Sequence, residues 1–231
     1  MSTLALLDGD GLVYKIGFST QDIPLGQAIA RMRSAIDTIA FVGARADSYR
    51  GFLSPRGSTF RHRLARRQKY KGNREGNEKP VHYEGLREYL QERECFEMAV
   101  DEEADDQLGI NLVALGENAI CCSPDKDLDN VPGWHYNPNR RERYYVTRRD
   151  ALTNFYRQCL VGDRTDNIPG VDGIGPKGAQ TILPGGEDEN DMAAKVLITY
   201  YMAGMTDEDL EEAGRLLWIR HLPGQVWSLP L

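Results

Sequence analysis

The chain has 231 residues, of which 41% are hydrophobic, so it can bury a core as one large domain or as a domain with a small appendage, and a disordered protein is excluded. The longest early apolar run is only Leu4 to Leu7, so we expect no signal peptide, no membrane span and a cytoplasmic location, in the host cell if the chain is phage-encoded. A formal net charge of −7 argues against a nucleic-acid partner unless basic residues are concentrated locally.

The first predicted element is a buried parallel strand, because residues 3 to 7 are apolar and lead into Asp8-Gly9-Asp10-Gly11. Ligand sites of open α/β sheets lie at the carboxyl ends of such strands. A hairpin turn would also use aspartates here, but the fully apolar strand favours a metal ligand. Helical spacing of apolar residues then predicts a helix from Pro24 to about Val42, and looser alternation predicts a strand from Ala46 to Ser54.

The composition changes sharply between residues 56 and 79. Only two glutamates oppose the basic residues of this segment, which are Arg56, Arg61, Arg63, Arg66, Arg67, Lys69, Lys71, Arg74 and Lys79. A charge run is usually a solvated face, but one this one-sided in an acidic protein favours contact with DNA or RNA. Phe60 and Tyr70 lie within it and are candidates for base stacking.

Two acidic motifs follow. Glu103 and Asp105 lie at the start of a predicted helix that runs to about Leu115. On a regular helix their side chains point about 200° apart, so both can reach one metal ion only if the start of the helix is irregular. Acidic residues in a first turn are otherwise ordinary helix-dipole chemistry. After a short predicted strand at 119–122, Asp125 and Asp127 face the same way if the chain is extended, although Asp-x-Asp alone is as typical of a loop as of a site.

The last motif joins a carboxylate pair to a glycine-rich turn. A helix beginning at Asp150 is expected to present Asp163 and Asp166, which share a face on a helical turn and could hold one hard cation. Residues 173–178 then predict a turn into a short helix, where free backbone amides and Lys177 favour a phosphate. A lone Gly-x-Gly would predict only a turn. Closing helices are expected at 192–202 and 207–220, and the tail after Leu222 has no prediction.

In this order the motifs resemble the signatures of the flap endonuclease/5′-3′ exonuclease superfamily, which includes the 5′-nuclease domain of DNA polymerase I and bacteriophage 5′ nucleases. The matching segments are Asp8, Phe60-Arg61-His62, Tyr70-Lys71-Gly72-Asn73-Arg74, Glu103-Ala104-Asp105-Asp106, Ser123-Pro124-Asp125-Lys126-Asp127-Leu128 and Gly162-Asp163 to Gly175. Two positions depart from the family: Ser54 stands where another metal-binding aspartate is common, and Asp10 where the residue is usually uncharged. One cation would then be held more loosely, or Asp10 would compensate.

The resemblance implies an α/β, PIN-like domain with a mostly parallel central sheet flanked by helices, a helical arch or loop, and a helix-3-turn-helix DNA-binding motif. It implies a catalytic core at residues 1–149, including a basic arch region at 56–90. The remaining residues, 150–231, would form the DNA-binding region and the C-terminal helices.

The resemblance also implies the site. Two or more Mg²⁺ or Mn²⁺ ions are expected, and all-oxygen ligands independently favour these over zinc. One ion would take Asp8, Glu103 and Asp105; the other would take Asp125, Asp127 and one or both of Asp163 and Asp166. Asp106 would be a further ligand or a group that supports the ligands without touching the metal. K⁺ is implied at the hairpin. Lys71 and Arg74 would act with Asp8 in catalysis by stabilising charge on the scissile phosphate. DNA contacts would come from Arg61, Lys71, Arg74, Gly173, Ile174, Gly175 and Lys177.

The implied function is a metal-dependent 5′ nuclease that hydrolyses phosphodiester bonds at or near the 5′ ends of DNA, with two metal ions assisting in-line attack. The substrate would be a duplex with a 5′ end or flap, or RNA in hybrids, cut by a monomer in phage DNA replication. Phosphate contacts position nucleic acid without reading sequence, so specificity is expected for structure.

Two other classes stay open. Asp8-Gly9-Asp10-Gly11 after a buried strand also matches the nucleophile motif of a haloacid-dehalogenase-type phosphatase, which would leave the hairpin and the basic segment without a role. Ser54 in place of an expected ligand makes a noncatalytic DNA-structure-binding module conceivable.

Overall fold

The computed structural model describes residues 2–74 and 76–230, and its centre is a six-stranded sheet. The strands lie in the order β3-β2-β1-β4-β5-β6. The first five are parallel to their neighbours, and β6 pairs antiparallel with β5. The strand bounds are β1 Leu4–Asp8, β2 Ser48–Leu53, β3 Glu97–Met98, β4 Ala119–Cys122, β5 Gly133–Asn137 and β6 Glu142–Val146.

The direction of winding reverses beside β1, because the chain moves outward through β2 and β3 and then returns to pair β4 with the other side of β1. Such switch points are where open α/β sheets form ligand crevices. The ends of β1 and β4 therefore place Asp8 and the segment after Cys122 at one crevice.

Helices cover both faces of the sheet. Helices α1, α2 and α4 pack with one face, and α5 packs with the other. Their bounds are α1 Gly9–Ser19, α2 Leu25–Asp37, α3 Phe60–Leu64, α4 Tyr83–Arg93 and α5 Ala104–Leu115. The predicted helix over 24–42 is confirmed as α2 followed by a π-helical turn at Thr38–Gly43.

The C-terminal part forms a further apolar cluster and a small hairpin. Its elements are α6 Arg148–Val161, β7 Gly162–Asp163, β8 Ile168–Pro169, α7 Pro176–Ile182, α8 Glu189–Met202 and α9 Asp207–Leu217. Two predictions are wrong here. Helix α6 is capped by Thr147, whose hydroxyl accepts from Asp150 N at 3.1 Å, and Asp163 lies in β7 rather than on a helical turn.

Residues 130–143 are polar and contain proline and glycine, which indicates a loop, but they include β5, whose sequence Gly-Trp-His-Tyr-Asn lacks an apolar run. His135 is nevertheless buried, because its Nε2 lies 2.9 Å from the carbonyl of Val131. A satisfied polar side chain can occupy a buried strand position that a hydrophobicity pattern does not indicate.

The tail after Leu222, for which the sequence gives no prediction, packs against the apolar cluster of the C-terminal part. Trp227 is 6% exposed and packs against Phe155, with ring centroids 5.3 Å apart. It also lies over Gly214, where any Cβ would come within 2.3 Å of the indole.

We expect Trp227→Ala to lower the free energy of unfolding by about 3–5 kcal/mol, because a large buried aromatic is removed from a closed site. Urea unfolding measures the loss. Trp134→Ala is the matched control, since Trp134 is 37% exposed at the sheet. Equal losses in the two variants would show that the tail does not seal the cluster.

Candidate metal centre and nucleic-acid interface

A cavity of about 400 Å³ lies at the carboxyl ends of β1, β2 and β4. Seven of the eight predicted metal ligands line it, contributed by four separate segments of the chain: Asp8, Glu103, Asp105, Asp125, Asp127, Asp163 and Asp166. Lys71 and Arg74 line the same cavity. The fold thus brings together residues up to 158 positions apart, from Asp8 to Asp166.

Asp8 is the last residue of β1 and also caps α1, accepting from Gly11 N at 2.8 Å. Its other oxygen accepts from the hydroxyl of Ser123 at 2.9 Å, and Ser123 Oγ accepts from Asp125 N at 3.1 Å. Ser123 therefore ties the carboxylate after β1 to the backbone after β4.

Glu103 is the N-cap of α5 and has extended backbone angles, with φ −97° and ψ 164°. Asp105 is the second residue of the helix. Glu103 therefore lies just outside the helix, where the angular spacing of a regular helix does not apply, and both side chains line the cavity.

Asp125 and Asp127 do not lie on extended chain, so that prediction is wrong. Asp125 caps a 3₁₀ turn at Lys126–Asn130, and its Oδ1 accepts from Asp127 N at 2.9 Å. Asp127 is held in addition by Gln158 of α6, whose amide donates to Asp127 Oδ1 at 3.0 Å.

Asp163 and Asp166 lie on the hairpin between β7 and β8. Asp163 Oδ1 accepts from Thr165 N at 2.6 Å, which folds the turn around the carboxylate. Both residues still line the cavity, although the turn rather than a helix places them there.

The basic segment enters the cavity through two cations. Lys71 Nζ lies 2.5 Å from Glu103 Oε1 and 3.7 Å from Asp166 Oδ2, and Arg74 pairs with Asp166. The Tyr70 hydroxyl lies 2.8 Å from Glu103 and 2.9 Å from Asp166. Glu103 and Asp166 are thus charge-balanced by protein groups.

For Asp105, Asp8 and Asp127, burial and the neighbouring carboxylates outweigh any cationic partner, although Lys126 Nζ lies 3.4 Å from Asp127 Oδ1. Burial, and then the charges of Asp8 and Asp125, raises the pKa of Asp105 well above its ordinary value. Burial raises the pKa of Asp8 to about 6, and burial together with Asp125 raises the pKa of Asp127 to about 7. For Glu103, burial acts to raise the pKa, but Lys71 and Arg61 hold it below its ordinary value.

Among residues 2–74 and 76–230, no three His, Cys, Asp or Glu side chains converge closely enough to enclose a metal ion as they are placed. The chemistry of the cavity nevertheless fits hard divalent cations. Its donors are carboxylate oxygens, which Mg²⁺ and Mn²⁺ prefer, and the raised pKa values reflect burial and then repulsion between carboxylates, both of which a cation would offset.

Asp106 is the eighth predicted ligand, and the structure places it elsewhere. It is fully buried, and both of its oxygens accept from Arg61, at 2.5 and 2.8 Å. The metal-ligand prediction for Asp106 is therefore wrong, because its carboxylate is already paired.

Arg61 is also misassigned as a DNA contact. It is 3% exposed and donates to the carbonyls of Leu216 and Trp218 as well as to Asp106. Phe60 and Tyr70 are buried too, so neither offers a face to a base. Between residues 56 and 82, apart from residue 75, which lies outside the described residues, the only helical pieces are α3 and one 3₁₀ turn at Gly72–Arg74. The segment is a loop rather than a helical arch in the described residues.

The glycine-rich turn follows β8 in the chain and leads into α7. Gly173 has φ +79°, a left-handed conformation that glycine adopts without strain, and Gly175 caps α7. Lys177 is exposed at the start of α7. Helix α7 has seven residues, and the predicted phosphate and K⁺ contacts at its start stay predictions.

Three residues that hold the cavity were given no role from the sequence: Ser123, Gln158 and Arg87. Arg87 lies between Leu86 and Leu90 on the buried side of α4, and an arginine among core leucines was the available signal. Nothing in the sequence marks Gln158, whose partner is 31 positions away.

The fold and the cavity define an α/β protein with a carboxylate-lined crevice at the switch point of a mostly parallel sheet. A structure of a bacteriophage T5 protein co-crystallised with metal ions shares this fold, with a TM-score of 0.60 and 20% identity over 92% of this chain and 89% of that chain. Bacteriophage T5 flap endonuclease in a complex with DNA and metal ions matches with a TM-score of 0.57 and 19% identity, again over 92% and 89%.

By sequence, the chain is 32% identical over 113 residues to flap endonuclease Xni of Shewanella piezotolerans, across 42% of this chain and 43% of that protein. It is 35% identical over 95 residues to DNA polymerase I of Borreliella burgdorferi, across 35% of this chain and 10% of that protein. The matches thus span less than half of either relative, and no family model matches. Together these findings confirm the resemblance to the flap endonuclease/5′-3′ exonuclease superfamily.

Proposed function

We propose that the chain is a metal-dependent 5′ nuclease that hydrolyses phosphodiester bonds at or near the 5′ ends of DNA, acting in phage DNA replication. The observation that carries the proposal is one cavity that joins seven predicted metal ligands to Lys71 and Arg74. The carboxylates suit divalent cations, and the two basic side chains suit a phosphate. Either group of residues could occur without the other, so their combination in one cavity is what supports phosphodiester hydrolysis. We further propose that the region from residue 150 onward grips duplex DNA.

Within this proposal, Asp8, Glu103 and Asp105 would hold one Mg²⁺ or Mn²⁺, and Asp125, Asp127 and Asp163 or Asp166 would hold another. Bound ions would supply Lewis-acid stabilisation of charge on the phosphodiester. Lys71 and Arg74 would turn from Glu103 and Asp166 towards the phosphate, since the salt bridges that hold them lie at the cavity surface. Ser123 and Gln158 would keep Asp8 and Asp127 oriented.

The phosphatase alternative would need a free Asp10 beside Asp8 for proton transfer. Asp10 instead accepts from Arg87 at 2.6 Å and from Ser54 N at 2.9 Å. The pairing of Asp10 therefore argues against the phosphatase.

A product-length assay on labelled duplexes and 5′ flaps tests the proposal, comparing wild type with Asp125→Asn in Mg²⁺ and in chelator. Metal-dependent cleavage from the 5′ side that the variant loses is the expected result. Mononucleotide products would define an exonuclease, and released intact flaps would define a structure-specific endonuclease. DNA binding without cleavage in Mg²⁺ or Mn²⁺ would refute the proposal in favour of a binding module.

We expect Lys71→Ala to lower turnover by roughly 10²-fold, because a preorganised cation aimed at developing charge acts mainly in the transition state. Duplex affinity should change little. Single-turnover cleavage and equilibrium DNA binding are the two measurements. Lys79→Ala is the matched control, since Lys79 belongs to the same basic segment but pairs with Glu84 outside the cavity. Equal losses of affinity and turnover would contradict the catalytic role of Lys71.

A further inference from the structure

Asp10 lines the acidic cavity, but protein donors already occupy its carboxylate. Arg87 Nη1 donates to Asp10 Oδ1 at 2.6 Å, and Ser54 N donates to Asp10 Oδ2 at 2.9 Å. Arg87 is only 2% exposed, and its Nη2 donates to the Ser54 carbonyl at 2.6 Å. Asp10 and Arg87 therefore hold both backbone polar groups of Ser54.

Ser54 passes this constraint to α5. Its hydroxyl accepts from Ala104 N at 3.0 Å. Ala104 is the first helical residue of α5 and lies between Glu103 and Asp105, two carboxylates of the cavity. The contacts thus connect the start of α1, the end of β2 and the buried side of α4 with the backbone that carries two proposed cation ligands.

We propose that Asp10, Arg87 and Ser54 are positioning residues that set the placement of Glu103 and Asp105 for cation binding, and that Asp10 is not itself a ligand. The inference rests on the proposed metal-dependent function. Groups that orient ligands without touching the metal commonly determine metal affinity. A buried guanidinium that pairs with Asp10 also keeps this carboxylate from turning towards a cation.

A Ser54 variant tests the positioning effect alone, because replacing this neutral residue leaves the net charge of the cavity unchanged. In metal titrations without DNA, followed by the electron paramagnetic resonance of Mn²⁺, we expect Ser54→Ala to weaken Mn²⁺ binding about 10-fold or more. Ser54→Thr keeps the hydroxyl and should restore the affinity. Ser58→Ala is the matched control, since Ser58 is an exposed serine four residues further along the same loop.

Asp10→Asn is the second variant, since its amide oxygen still accepts from Ser54 N while the ion pair with Arg87 is lost. We expect weaker binding of the same number of Mn²⁺ ions as in the wild type. Fewer bound ions would identify Asp10 as a ligand and overturn the proposal, as would wild-type Mn²⁺ affinity in Ser54→Ala. A wild type that binds no Mn²⁺ and cleaves no DNA would overturn the proposed function as well, so the two failures are distinguishable.

Discussion

Asp105→Asn is expected to abolish DNA cleavage and, in chelator, to make the protein more stable than the wild type. Cleavage should fall by roughly 10³-fold, because removing a cation ligand forfeits several kcal/mol of transition-state stabilisation. The opposite effect on stability follows from the metal-free cavity. Burial together with Asp8 and Asp125 raises the pKa of Asp105, so its ionised form is disfavoured in the folded state at neutral pH.

Replacing Asp105 with a neutral amide removes that unfavourable charge. A gain of about 1 kcal/mol would raise the melting temperature by roughly 2–4 °C in a chain of this size. Addition of Mg²⁺ should then give the wild type the higher melting temperature, because the bound ion stabilises the wild type more than the variant. Thermal unfolding with and without Mg²⁺ measures both effects.

Asp22→Asn is the control for the loss of one negative charge, since Asp22 is exposed in the loop between α1 and α2. It should leave cleavage and both melting temperatures close to those of the wild type. An Asp105→Asn protein that cleaves DNA normally, or that melts lower than the wild type in chelator, would contradict the role of Asp105 as an uncompensated cation ligand.

The parts of the site that the sequence predicted are those set by the ends of apolar strands. Asp8 ends a buried parallel strand, and Asp125 comes shortly after the neighbouring one, so sheet geometry alone brings them together. Glu103 and Asp105 could be assigned to one cavity because a helix start is the place where two such side chains can converge.

The errors concern residues whose environment depends on distant partners. Arg61 lies in a basic segment, where a surface position is expected. Only the fold shows that Asp106, 45 positions away, pairs with it in the interior. Asp163 follows a helix in the sequence, but the close approach of Gly162 to Gly170 diverts the chain into a hairpin. Neither the burial of a charge nor a turn set by backbone packing has a local sequence signature.

Arg61→Met should lower the free energy of unfolding by about 3–5 kcal/mol, because it leaves the carboxylate of Asp106 buried without its counter-ion. The effect extends beyond one ion pair. Arg61 also donates to Leu216 O at 2.9 Å and to Trp218 O at 2.8 Å, so the same guanidinium attaches the end of α9 to α5. Urea unfolding measures the loss, and Arg63→Met is the matched control, since Arg63 pairs with Asp101 at the surface.

The double variant Arg61→Met/Asp106→Asn identifies the cause. Asn at position 106 removes the uncompensated charge and keeps one oxygen, which can accept from either Glu103 N or Arg220 N; these two donors bind different oxygens of Asp106. The double variant should therefore be more stable than Arg61→Met by at least about 1 kcal/mol, a coupling typical of residues in direct contact. If Arg61→Met instead retained wild-type stability and lost DNA affinity, Arg61 would be the DNA contact that its place in the basic segment predicted. The buried contacts of Arg61 with Asp106, Leu216 and Trp218 would then contribute nothing measurable to stability.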